Sequence, residues 1–240
     1  MDYKNLIRSS LNILHLDLTK NLEYDRLTKL IMKRTISSVS NCIDIGCHKG
    51  EILDIILQQA PNGKHYGFEP LPYLFNNLKD KYKNKATILP YALANENGFS
   101  TFQYVKNAPA YSGIKKRKYD IDKPEIEEIK VELKKLDTVI PPDLKIDFIK
   151  IDVEGAELGV LQGAVQLLKR DNPIVVFEFG LGASDFYGTK PIDIFNLFTN
   201  EVGLKISLLK SFINNGNVLN LDEFEKHFNN NKEYYFIAHK

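Results

Sequence analysis

Cys42-Ile43-Asp44-Ile45-Gly46-Cys47-His48-Lys49-Gly50 is the stretch that decides the fold. Its first four residues form a short apolar run that Gly46 ends, and Gly50 then opens a helix with Ile52, Leu53, Ile56 and Leu57 on one side. Gly46 lets the backbone turn tightly, and Gly50 lets the helix start approach a bound molecule. A strand that turns into a helix in this way marks the crevice where open α/β sheets hold ligands.

Reading outward, the alternation continues. Pro61-Asn62-Gly63 makes a turn, 65–68 a strand ending in Glu69-Pro70, 71–82 a helix and 86–89 a strand. After a break, 146–151 reads as a strand, 155–168 as a helix, 174–179 as a strand, 192–199 as a helix and 234–238 as a last strand. Strands alternating with helices predict a parallel sheet wound with helices, an α/β fold. The break itself holds an alternating strand at 99–104 and a loop at 106–125 rich in Lys, Pro and Gly. A loop that long inside a compact domain reads as a variable lid or substrate loop. Upstream, Leu6, Ile7, Leu11, Leu14 and Leu18, then Leu27, Leu30, Ile31 and Ile36, recur at helical spacing. The expected organisation is an N-terminal helical extension over 1–40 and one main domain over 41–240.

Composition narrows the function classes. The 240 residues carry 32 Lys and Arg against 31 acids, a formal net charge of +1. A nucleic-acid partner is not expected, because such proteins show a marked basic excess. The basic run Lys115-Lys116-Arg117-Lys118 reads as a solvated loop, with attraction of an anionic substrate the lesser alternative. Cys42 and Cys47 are too few for a disulfide framework or a zinc site and suit a reducing cytoplasm. No uninterrupted apolar stretch has the length of a signal core or a membrane span. A cytoplasmic location is the remaining expectation.

The pattern Asp-x-Gly-x-x-x-Gly from Asp44 to Gly50 differs from the Gly-x-Gly-x-x-Gly of a dinucleotide site. A pyrophosphate would be repelled by Asp44, whereas S-adenosylmethionine, with its sulfonium and ammonium, would be attracted. Glu69 ends the next strand, where an acid can take ribose hydroxyls. A second group of carboxylates lies in Lys150-Ile151-Asp152-Val153-Glu154-Gly155-Ala156-Glu157, after an apolar strand and before a helix. One acid there would serve as a helix cap; three acids and a lysine exceed that need. Glu178 adds a carboxylate inside the apolar run Val175-Val176-Phe177-Glu178-Phe179, a costly place without a partner. Methyl transfer requires alignment of two reactants and help with a hydroxyl proton. Asp152, Glu154 and Glu178 are therefore the candidate catalytic residues, and His48 is the rival base. Such acids could hold a divalent ion, but nothing in the sequence requires a metal.

These segments together resemble the FkbM-type methyltransferase family. The carriers are IDIGCHKG (43–50), YGFEP (66–70), ILPYALANENG (88–98), KKLDTVI (134–140), FIKIDVEGAELGVLQGA (148–164) and VVFEFG (175–180). The resemblance implies a Rossmann-like class I methyltransferase fold with seven mostly parallel strands, the last antiparallel. It implies S-adenosylmethionine as cofactor and O-methylation of a hydroxyl on a sugar, a glycan or another small acceptor. By that match Asp44, Gly46, Cys47 and Gly50 border the methionine and ribose, Glu69 with Pro70 holds the ribose, Tyr91 and Ala92 border the adenine, and Asp152 and Glu154 face the methyl group. The acceptor pocket is expected from loop 106–125 and the C-terminal part. Cys47 and Lys49 depart from the small or amide residues expected in the loop, which weakens a role for His48. The rival classes are a nicotinamide-dependent oxidoreductase, a noncatalytic cofactor-binding module and a nucleic-acid methyltransferase. The last often carries an Asn/Asp-Pro-Pro-aromatic motif where this chain reads Asp152-Val153-Glu154-Gly155.

Overall fold

The computed structural model describes residues 19–119 and 121–240. The first expected helix, with Leu6 to Leu18, lies outside the described residues. The second is α1 (Lys20–Thr35), capped by Thr19 and closed by Ile36.

Seven strands form one sheet: β1 (Cys42–Ile45), β2 (His65–Phe68), β3 (Thr87–Leu89), β7 (Phe148–Ile151), β8 (Ile174–Glu178), β9 (Lys205–Leu208) and β10 (Tyr235–His239). Their order is β3-β2-β1-β7-β8-β10-β9. All neighbours run parallel except β10, which is antiparallel to both β8 and β9. Helices α2 (Glu51–Gln59) and α3 (Pro72–Lys81) follow the first two strands, as periodicity predicts.

Side chains alternate between the two sheet faces along each strand. Ile43, Ile45, Ile149, Ile151, Val175, Phe177 and Phe236 pack on one face against Val160, Leu161, Leu168, Ile194, Phe198 and Phe224. Cys42, Phe148, Val176 and Ile237 pack on the other, under Leu27, Ile31 and Met32 of α1 and Leu53 and Ile56 of α2. Helix α1 is thus half of one roof of the sheet.

Several elements differ from periodicity. The helix expected over 155–168 is two, α5 (Glu157–Gln162) and α6 (Val165–Asp171), after a short turn α4 (Leu136–Val139). They part at Gly163, where an added Cβ would lie 2.1 Å from the Ala94 carbonyl oxygen, so the backbone of the neighbouring segment occupies the space a straight helix would need. Helix α7 (Pro191–Asn196) runs on into a π-helical turn, Leu197–Val202, past the expected stop at 199.

A second sheet occupies the break in the alternation: β4 (Tyr91–Leu93), β5 (Gly98–Val105) and β6 (Ile126–Lys134), in the order β4-β6-β5. Strand β6 is an addition to the expected strands, although 129–134 alternates apolar and charged residues, with Val131 and Leu133 buried. It pairs with all eight residues of β5. Strand β9 and the helices α8 (Leu209–Ile213) and α9 (Leu221–Asn229) are further additions, although α9 carries Leu221, Phe224 and Phe228 at helical spacing behind an Asn220–Glu223 capping box. Cys42 and Cys47 are free thiols, both buried. No helix among the described residues is long and apolar enough to cross a membrane.

Candidate active site

The carboxyl ends of β1, β2 and β7 open into a cavity of about 1030 Å³. Alternation along the strands explains its polar floor. On the α1 face the inward positions begin apolar, with Cys42, Phe148 and Val176, and end polar, with Asp44, Lys150 and Glu178. Asp44 and Lys150 are register partners. Tyr235, at the start of antiparallel β10, is the partner of Glu178.

The glycine loop crosses the end of the sheet. Gly46 has φ +82°, and a Cβ there would lie 1.8 Å from the Asp152 carbonyl oxygen. Only a residue without a side chain permits that approach of β1 to β7. His48 takes a left-handed φ of 48°. Its N–H donates to Glu69 Oε2 at 2.9 Å, and the Leu71 N–H donates to Oε1 at 2.9 Å. Glu69 therefore ties the glycine loop to the end of β2. Burial pushes its carboxyl up to about 7, against the pull of those two hydrogen bonds.

Asp44 is 2% exposed, and its Oδ2 has no hydrogen-bond partner. Burial pushes its carboxyl up to about 7, with Lys150 opposing. A buried acid with an unanswered oxygen, facing a cavity, is suited to a cationic or hydrogen-bond-donating ligand.

Asp152, Glu154 and Glu178 each bring a carboxylate oxygen within 4.8 Å of the others. Tyr235 donates to Asp152 Oδ2 at 2.5 Å, and Lys150 Nζ reaches the same oxygen at 3.1 Å. Desolvation works to raise the Asp152 carboxyl. The Lys150 charge and hydrogen bonds from Glu178, Tyr235 and Lys150 outweigh it and hold Asp152 below the usual range. Burial, then the Asp152 charge, drive Glu178 well above it. The two carboxyls are thus driven in opposite directions, Asp152 towards the charged form and Glu178 towards the neutral one. Burial and the Asp152 charge push Glu154 up to about 8. Glu154 sits at φ +59° and meets Arg117 of the loop at 2.5 Å.

All the expected site residues except Gly50 line this cavity: Asp44, Gly46, Cys47, Glu69, Pro70, Tyr91, Ala92, Asp152, Glu154 and Glu178. Gly50 stands behind its wall as the left-handed N-cap of α2, and Tyr82 bonds to its carbonyl oxygen at 2.6 Å. His48 also lines the cavity, and burial holds its imidazole below the ordinary value. Sequence reasoning missed Lys150 as a working residue, Tyr235, and the α1 side chains Asn21, Tyr24, Asp25, Thr28 and Lys29. Lys150 was findable, as a charged residue inside an apolar strand. Tyr235 was not, because only the sheet order brings β10 beside β8.

This strand order, with an acid-lined crevice at the carboxyl edge, defines a Rossmann-like α/β fold with its ligand crevice at the strand ends. The model of the methyltransferase FkbM domain matches residues 44–204, and the chain belongs to that family. A methyltransferase FkbM from Methylobacillus flagellatus KT is similar in structure at a TM-score of 0.53 and 15% identity, over 85% of this chain and 44% of that one. The chain thus spans less than half the length of that relative. Weaker likenesses are to a StiE O-MT segment (TM-score 0.45, 10% identity, 95% and 79% of the two chains) and to Aeropyrum pernix fibrillarin in complex with natively bound S-adenosyl-L-methionine (0.43, 13%, 90% and 74%). No protein of curated function matches the sequence significantly. Family membership makes S-adenosylmethionine the cofactor. The Asp44 oxygen, unanswered among the described residues, fits that cationic molecule.

Proposed function

We propose that the chain is an S-adenosylmethionine-dependent O-methyltransferase acting on a hydroxyl of a sugar, a glycan or another small polar molecule. The observation that carries this reading is the Asp152–Glu154–Glu178 cluster, set in the same cavity as Asp44 and Glu69. Asp44 would hold the cationic end of the cofactor and Glu69 its ribose, with Gly46 and Cys47 beside them, and Tyr91 and Ala92 at the adenine. The bound cofactor supplies an electrophilic methyl group.

The protein's own part is to orient the acceptor and take its proton. Asp152, ionised at neutral pH, accepts a hydrogen bond from the acceptor hydroxyl and points its oxygen inward. The proton then enters the carboxylate set, where Glu154, raised towards neutrality by burial and the Asp152 charge, would act as general base in its ionised form. The near-neutral charge of the chain supports a small polar acceptor over nucleic acid.

Calorimetric titration with S-adenosylhomocysteine, with NADH as control, tests the reading. Micromolar binding (about 8 kcal/mol) of the first alone is expected, with at least a tenfold loss in Asp44→Asn (about 1.4 kcal/mol). Equal affinity of wild type and variant would remove Asp44 from the cofactor site, and NADH binding alone would replace the reading.

A further inference from the structure

We infer that the acceptor lies against helix α1, in a polar subsite walled by Asn21, Thr28 and Lys29 and floored by Asp152, Glu178 and Tyr235, and that it is a polar, polyhydroxylated molecule. This rests on the methyltransferase reading above and goes beyond it by placing the second substrate.

Clefts that hold one small ligand measure about 300–1,000 Å³. A cavity of about 1030 Å³ has room for a cofactor and a further ligand. Its two ends differ in chemistry. Leu71, Leu74, Ala92 and Phe102 form one apolar cluster with Ile114 packed on it, and all five line the cavity. That end suits a flat, weakly polar ring such as adenine. The other end is walled by one side of α1, where Asn21, Asp25, Thr28 and Lys29 recur at three- and four-residue spacing. An amide, a carboxylate, a hydroxyl and an ammonium on one helix face match the hydroxyl groups of a polyol.

The catalytic cluster stands next to this end. Asp44, Lys150, Glu178 and Tyr235 share the sheet face that α1 roofs. Tyr24 of α1 stacks on Tyr235 (centroids 4.9 Å, interplanar angle 28°), and Tyr235 donates to Asp152. Loop 106–125, the expected acceptor wall, is pinned on its own side instead. Ser112 Oγ accepts the Val105 N–H, the Tyr187 hydroxyl oxygen accepts the Lys115 N–H, and Arg117 closes on Glu154. It contributes Pro109, Ala110, Ser112 and Ile114 to the cavity, with Ile114 packed on the apolar cluster, and it touches the catalytic set only at Glu154, where Arg117 pairs with the carboxylate.

A photoreactive analogue of S-adenosylmethionine, with nitrogen in place of sulfur and a diazirine-bearing alkyl chain in place of the methyl, tests the placement without knowledge of the acceptor. After irradiation, peptide mapping is expected to find adducts within Tyr24–Lys29 of α1, suppressed by S-adenosylhomocysteine. Adducts confined to 109–114 overturn the inference and leave the cofactor reading intact. Labelling that S-adenosylhomocysteine fails to suppress defeats the cofactor placement and the inference with it. For the chemistry, an analogue with a pendant triol should bind at least tenfold tighter than one with an alkyl chain of equal length. The double variant Thr28→Val/Lys29→Met should erase that preference; an alkyl preference in the wild type overturns the polar subsite.

Discussion

Asp152 is held ionised by its neighbours: the Lys150 charge and hydrogen bonds from Glu178 and Tyr235 all favour its charge. It points into the cavity with 31% of its side chain exposed, while Lys150 beside it is 5% exposed. Replacing it by Asn keeps the shape and removes the acceptor for the hydroxyl proton. Asp152→Asn is therefore expected to lower turnover about 100-fold while S-adenosylhomocysteine affinity stays within about threefold. A matching loss of both, measured by single-turnover kinetics and calorimetry, would make Asp152 a cofactor residue only. The same charge balance bears on metals. Lys150 already offsets the charge of Asp152 at 3.1 Å. Dialysis against EDTA is expected to leave cofactor affinity and methyl transfer unchanged. A rate that returns only with added magnesium would show that the three acids bind a divalent ion.

Helix α1 contributes to both the core and the cavity. Its apolar side puts Leu27, Ile31 and Met32 on the sheet, and Ile31 is fully buried. Lys20 and Tyr24 meet Glu233 ahead of β10, which fixes the helix near its start. If α1 is integral to the sheet, removing a buried side chain from it costs as much as a core truncation. Ile31→Ala is expected to destabilise the protein by about 3 kcal/mol in urea unfolding, with one cooperative transition. A loss below about 0.5 kcal/mol would mean that α1 is an appendage. The element scale is also where sequence periodicity failed most. Strand β6 alternates apolar and charged residues over 129–134, a local signal that the paired acids at 127–128 and the lysine-rich loop before it obscure.

Across the whole molecule, carboxyls are buried together at one edge of the sheet. Burial raises Asp44, Glu69 and Glu157 to about 7 and Glu154 to about 8. An acid whose folded value lies above its unfolded one, near 4, keeps its proton longer when folded. Stability is then largest at low pH and falls as pH rises through the folded value. His48, His65, His227 and His239 are shifted downward by burial, which works in the opposite sense, but only below about 6.5. The melting temperature of the ligand-free protein is therefore expected to fall between about pH 6.5 and pH 8, and differential scanning fluorimetry would read it. A rise over that interval would show that these acids are ionised without cost.

The strand-to-helix turn at Asp44–Gly50, the acid ending β2 and the Lys150–Glu157 run were legible because each is a local pattern: alternating burial, a glycine that must turn, charge where an apolar strand stops. Together with the family resemblance they sufficed for the fold class, the cofactor and part of the cavity lining. Tertiary structure alone decided which of those residues meet. Asp152, Glu178 and Tyr235 are far apart in the chain and converge because β10 inserts antiparallel beside β8, placing Tyr235 in register with Glu178. The same geometry put α1 beside the Tyr235 side of the reacting cluster, while the long loop meets it at Glu154. Side chains alternate across a sheet, and the face that a helix will cover is set by packing, which local sequence does not encode.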